Sequence, residues 1–185
     1  MQVARVGTSV RLALTAVFAA LIAVGTIFSI PLPPPLFEIT WAPAIYLALA
    51  LLSDQWTAFS ATAIGSFLGE AYNVATRGGP PIYAVGMVWA RAPEVLIVAW
   101  ARRRGWKAIT AAMVLATIFE TVAFLIPDWA FYTYGVFGYG SPVDVLTGFY
   151  TALPDVFTMV DIVFIPIALV LVRAAAPAFR RLGFA

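Results

Sequence analysis

The sequence predicts an all-α membrane protein: six transmembrane helices in a bundle, with both termini on the cytoplasmic side. Three observations lead there. Hydrophobic residues make up 63% of the 185 and charged residues only 11%, whereas about a quarter of a soluble domain is charged. Most of the chain falls into six apolar stretches. Most of the eleven Lys and Arg lie in the gaps and ends on one side.

A membrane-crossing helix needs roughly 20 apolar residues, so residues 1–185 hold six as one domain, with nothing left for a soluble one. The first stretch, about Arg11 to Ile30, is longer than the core of a secretory signal and flows into a proline-rich turn, so it is read as a retained helix. The second, about Ile39 to Leu52, is short and opens with Trp41 and Pro43. The others are about Thr57 to Ala75, Ile82 to Ala101, Ala108 to Ile126 and Gly148 to Val172. A β-barrel would alternate strictly over strands of about ten residues, and these continuous runs do not. Internal repeats are not visible, which counts against the inverted-repeat transporter plan.

Crossing once per stretch puts the N-terminus, Ser53-Asp54-Gln55, the Arg102 to Lys107 turn and the C-terminus on one side. Nine basic residues fall there: Arg5, Arg11, Arg102, Arg103, Arg104, Lys107, Arg173, Arg180 and Arg181. The positive-inside rule makes that side the cytoplasm of a plasma-membrane protein. The same rule accounts for the basic cluster, so nucleic acid is not an expected partner and anionic lipid headgroups suffice.

The opposite loops carry the distinctive sequence. Pro31 to Glu38 reads as a stiff, extended strap, and Thr76 to Pro81 as a tight turn. The stretch from Pro127 to about Thr147 holds Trp129, Phe131, Tyr132, Tyr134, Phe137 and Tyr139 among glycines. One reading is an aromatic belt at the lipid interface; another is a lid that closes rings over a bound ring. The two are compatible.

Cysteine and histidine are both absent, which removes thiol catalysis, thiolate sites and the commonest metal ligand and general base. A metal or cofactor held by those groups is not expected. Charges within a bilayer mark functional candidates by default, here Glu70, Arg91, Glu94, Glu120, Asp155 and Asp161. Counted from the expected outer helix ends at about 1.5 Å per residue, Glu70, Glu120 and Asp155 share one level about 8 to 10 Å deep. Asn73, Tyr83 and Trp89 fall near it. An acid-rich, aromatic-lined cavity favours a cationic or amine-bearing substrate. Glu38, Trp129 and Tyr132 from the outer loops join the candidate site. Arg91 and Glu94, three residues apart, can neutralise each other, or Arg91 can tie to Asp161 between helices, so these three admit a structural reading as well as ligand binding.

On the first helix, Ala16 with Ala20 and Ala19 with Ala23 form small-xxx-small pairs of the kind that let helices approach closely. Taken with the short basic N-terminus, the alanine-rich run from Arg11 to Leu21, the proline-rich loop, the short second helix, Gly65-Ser66-Phe67-Leu68-Gly69-Glu70 and the Arg102-Arg103-Arg104-Gly105 ending, the layout resembles the S components. These are the substrate-binding membrane subunits of energy-coupling factor (ECF) vitamin transporters. The resemblance covers nearly the whole chain and rests on layout. It implies tight binding of a micronutrient from outside, and docking on a T component driven by two ATPase subunits. It also implies that the Ala16, Ala19, Ala20 and Ala23 face meets the T component, and that the chain is a non-enzyme with no catalytic residue, metal or cofactor of its own. The missing histidine argues against the nickel and cobalt branch; acid-rich and aromatic-rich walls favour a thiamine-like, pyridoxine-like or deazaguanine-like ring compound, and because a family thiamine site would also use a histidine, the last two fit better than thiamine itself. Two other classes compete. A stand-alone or proton-coupled permease would relay protons through Glu70, Glu120 and Asp161. A membrane enzyme lacks the serine–histidine pair, the cysteines or the dense aspartate signature that its chemistry would need.

Overall fold

The computed structural model describes residues 6–31 and 38–184, and its described part is an all-α bundle with one short hairpin. Helix α1 (Thr8–Ile27) leads into β1 (Ser29–Pro31) and β2 (Glu38–Thr40), which pair antiparallel with Ile30 opposite Ile39. Only the end residues of the expected strap, Pro31 and Glu38, belong to these strands. Its residues 32–37 and the Glu38 side chain lie outside the described residues.

Helix α2 (Ala42–Leu52) carries Pro43 in its first turn, where the missing N–H has no helical partner. Nearly every α2 side chain is buried, from Ala42 to Leu52, as expected of a helix apolar all round and enclosed by its neighbours. Asp54 then caps α3 (Gln55–Arg77), its Oδ1 accepting from the Trp56 and Thr57 amides at 3.2 Å each. After α4 (Ile82–Ala101) and an arginine turn, α5 (Trp106–Tyr134) ends at Gly135, whose left-handed φ of 61° suits glycine. Asp144 caps α6 (Val145–Ala152), which passes into a 3-10 helix (Leu153–Val163) and then α7 (Phe164–Arg181).

Two expected boundaries are corrected. The fifth helix does not stop near Ile126 but runs through Pro127 to Tyr134, so the aromatic loop shrinks to residues 135–144. Proline cannot donate to the carbonyl four residues back; that carbonyl, Ala123 O, instead accepts the Trp89 indole N–H at 3.0 Å. A neighbouring helix thus satisfies the group that the proline frees. The sixth stretch is not one α-helix, because eleven of its residues follow the 3-10 path, and its last helix runs past the expected Val172 to Arg181.

Among the described residues, four segments are long and apolar enough to cross a membrane: Thr8–Ile27, Ile82–Ala101, Trp106–Tyr134 and Val145–Arg181. Helix α2, with eleven residues, is about 16 Å long, half of a hydrocarbon core of about 30 Å. Helix α3 has the length, at 23 residues, but turns Thr57, Thr62, Ser66 and Asn73 inward.

Polarity runs inside out. Thr26, Thr62, Ser66, Arg91, Glu94, Thr117, Glu120, Asp128, Asp155 and Asp161 are buried, while Leu12, Val17, Leu21, Phe67, Leu68, Leu115, Ile126 and Val170 face outward. Such a surface suits lipid, where polar groups must find partners within the protein. Exposed Trp56 and Tyr72 mark the two ends of α3, about 24 Å apart along its axis. One end of the bundle gathers Arg11 on Asp54 at 3.7 Å, Arg102 donating to the Ser53 carbonyl, and Arg173 over the Trp106 ring. The other gathers Arg77 donating to the Ile27 carbonyl at 3.0 Å, and Tyr83 against Tyr139.

Helices α1 and α3 meet through glycines. A Cβ on Gly65 would lie 2.5 Å from the Ala19 carbonyl oxygen, and one on Gly69 would lie 2.6 Å from Thr26 Cβ. Ala19 is therefore buried against α3 and Ala23 half-buried, whereas Ala16 and Ala20 remain exposed. The two alanine pairs expected to share one docking face point in different directions.

Candidate functional site

The 3-10 helix decides how the buried acids are arranged. With three residues per turn, side chains at i, i+3 and i+6 stand on one face, so Asp155, Thr158 and Asp161 line up. They face α5. The Thr158 and Thr121 hydroxyls lie 2.7 Å apart, Asp161 lies beside Glu120, and Asp155 lies beside Asp128. The result is a polar seam with an acid cluster at each end.

The deeper cluster centres on an ion pair. Arg91 Nε donates to Glu120 Oε1 at 2.8 Å, with both side chains buried. Arg91 Nη2 also reaches Thr40 Oγ1 at 3.3 Å, and the Tyr46 hydroxyl donates to Glu120 Oε2 at 3.4 Å. Glu94 and Asp161 stand beside this pair. By geometry neither Glu94 oxygen, nor Arg91 Nη1, meets a hydrogen-bond partner among the described residues. One cation thus faces three carboxyl groups, so pairing leaves a surplus of acid. The pairing differs from the expected ones, since Arg91 takes Glu120 rather than Glu94 or Asp161 alone. It is geometry across helices, not spacing along one, that selects the partner.

The second cluster lies where α5 enters the 135–144 loop. Asp128, 3% exposed, accepts the Tyr139 hydroxyl at 2.6 Å. Tyr139 packs on Tyr83 at 5.6 Å, on Tyr132 at 4.6 Å and on Phe131 at 5.4 Å between ring centroids. Burial, and then the bond to Asp128, push the Tyr139 phenol well above its ordinary range, which keeps it a donor. Asp155, 5% exposed, lies beside Asp128. The Oδ2 atoms of both carboxyls are buried without a partner among the described residues.

Several expected site residues fall elsewhere. Glu70 and Asn73 sit on the α1–α3 side, where Asn73 Nδ2 donates to the Thr26 carbonyl at 3.3 Å and to Glu70 at 3.4 Å. Glu120 lies well short of the α5 end at Tyr134, about 21 Å below it along the axis. Glu70, Glu120 and Asp155 therefore do not form one level. Trp129 pins α5 to α6, its indole donating to the Val145 carbonyl at 2.8 Å and packing on Phe149. Trp89 packs edge-on to Phe131 at 6.3 Å behind the second cluster.

Asp128, Tyr139 and Tyr46 were not among the expected site residues. The expected helix end near Ile126 leaves Asp128 in an outer loop, and the sequence singles out Tyr139 only as one ring of the stretch read as belt or lid. An unbroken apolar run hid Tyr46. A surface depression of about 490 Å³ is lined by Val6, Gly7, Thr8 and Arg11; Arg11 belongs to the arginine-rich end and to neither acid cluster. No group of three metal-ligating side chains forms among the described residues. Comparison with family profiles, curated proteins and solved structures gave no match.

Proposed function

We propose that this chain is the substrate-binding subunit of an ECF-type importer in the plasma membrane, taking up a cationic or amine-bearing ring compound of vitamin size. The observation that carries the reading is the acid-and-tyrosine cluster under the 135–144 loop. It combines two buried carboxyls with a wall of aromatic rings, the composition of a site that recognises a small molecule. The exposed Ala16 and Ala20 leave part of α1 open to a T component, and two ATPase subunits would supply the energy. The chain acts as a binding protein in this reading, without catalysis.

A second reading is a proton-coupled permease. It is favoured by the seam of Asp155, Thr158 and Asp161 against Thr121 and Glu120, which links two acid clusters through the bundle. The test is native mass spectrometry of the protein gently purified from its own membrane, followed by uptake in vesicles with and without a T component and its ATPases. A retained heterocycle and ATP-dependent uptake are the expected results. Uptake driven by a proton gradient without any partner would replace the importer by the permease.

A further inference from the structure

The importer reading leaves open where a cationic substrate would bind and what holds it. The deeper cluster already has its cation, because Arg91 occupies Glu120 at 2.8 Å. The Asp128–Asp155 pair has none: no Lys or Arg forms an ion pair with either carboxyl among the described residues. Both are more than nine-tenths buried, and each keeps one oxygen without a partner. Two neighbouring carboxylates repel each other in a low dielectric, so the pair is completed either by a shared proton or by a bound positive charge.

The walls distinguish these. A shared proton needs no aromatic setting, whereas Tyr83, Tyr132 and Phe131 all pack on Tyr139, whose hydroxyl bonds Asp128, and ring faces attract an organic cation. The roof is a loop of strained backbone. Phe137 holds a φ of 57°, unusual for a bulky residue, and its ring is seated on Phe131 at 5.0 Å between centroids. Gly138 and Gly140 flank Tyr139 with φ of 92° and 93°. The Tyr139 hydroxyl on Asp128 closes this loop over the acids.

We infer that Asp128 and Asp155 form the charge-recognising floor of a site for a flat, positively charged organic ring, with the 135–144 loop as its roof and Tyr139 as the latch. This rests on the binding-protein reading and names the substrate class and the residues of that site. The ligand enters when the Tyr139–Asp128 bond opens, and its charge takes the place of the missing basic side chain.

The test is calorimetric titration of the purified full chain in detergent with 1-methylnicotinamide, a monovalent aromatic cation, and with nicotinamide, its neutral counterpart. The expected result is at least tenfold tighter binding of the cation. Asp128→Asn and Asp155→Asn should each bring that ratio close to one, while Asp155→Glu keeps it. Should Asp128→Asn fail to fold, the two Asp155 variants decide. Equal binding of both compounds, binding of neither, or a preference that survives both asparagine variants overturns the inference, and a shared proton then explains the pair. The two proposals fail separately. A neutral or anionic co-purified ligand with ATP-dependent uptake would keep the importer and discard the cation site. Cation preference without partner-dependent uptake would do the reverse.

Discussion

Arg91 holds a buried ion pair with Glu120 in the interior of the bundle. Removing one member of a buried pair strands the other charge, which costs about 3 to 5 kcal/mol. Arg91→Met should therefore lower the unfolding temperature in detergent sharply, and adding Glu120→Gln should recover part of the loss, because the stranded carboxylate is gone. An unchanged melting curve for Arg91→Met alone would mean that the pair of 2.8 Å carries no stability. Asp54 offers a contrasting case near the arginine end. Partial burial raises its carboxyl, but the Thr57 hydroxyl and amide, then Arg11 and the Trp56 amide, together hold it below the ordinary carboxylate range. A lowered folded-state value means that its contribution is complete above the ordinary carboxylate range, and fades as pH falls through the folded value. Asp54→Asn should flatten the acid limb of the stability profile between about pH 4 and lower values, read by thermal unfolding across that range. A variant as acid-sensitive as the parent would remove Asp54 from the account.

Irregular backbone shapes the elements more than apolar pattern does. Pro127 sits inside α5 because Trp89 on α4 takes over the carbonyl that proline leaves open. Trp89→Phe should destabilise the protein by about 1 kcal/mol, the cost of leaving a half-buried acceptor without its partner. In a Pro127→Ala background, the restored amide at 127 can bond Ala123 itself, so the same Trp89→Phe change should cost less. Thermal unfolding of the four proteins gives the coupling, and purely additive effects would contradict the explanation. The 3-10 run from Leu153 to Val163 is the other irregular element, long for its kind. Pro154 at its first turn fits a helix start, and the path it takes brings Asp155 and Asp161 onto the face of α5.

At the scale of the whole molecule, α1 serves two surfaces. Its Ala19 and Thr26 side packs on Gly65 and Gly69 of α3, too close for any side chain there, while Ala16 and Ala20 look outward. Enlarging each pair therefore separates folding from assembly. Ala16→Leu with Ala20→Leu should leave the melting temperature and ligand binding unchanged and reduce partner-dependent uptake at least tenfold. Ala19→Leu should lower stability itself. If uptake survives the first pair of changes, α1 is not the docking face and the partner lies elsewhere.

The sequence by itself determined the all-α class and the position of α4, and it placed the other helices to within a few residues, except the C-terminal end of the fifth and the interior and C-terminal end of the sixth. Continuous apolar runs with few charges satisfy their backbone groups in lipid as helices, and Gly78 stops α3 with a positive φ that suits glycine. It also singled out the buried ionisable residues, because charge in an apolar run stands out in one dimension. Which acid meets Arg91, and which acids meet each other, only the tertiary structure decided. At 3.6 residues per turn, Asp155, Thr158 and Asp161 would fan around a helix by about 60° per step; at three per turn they align. That difference arises from how the last segment packs on α5, a contact between residues far apart in sequence, and no spacing along the chain encodes it.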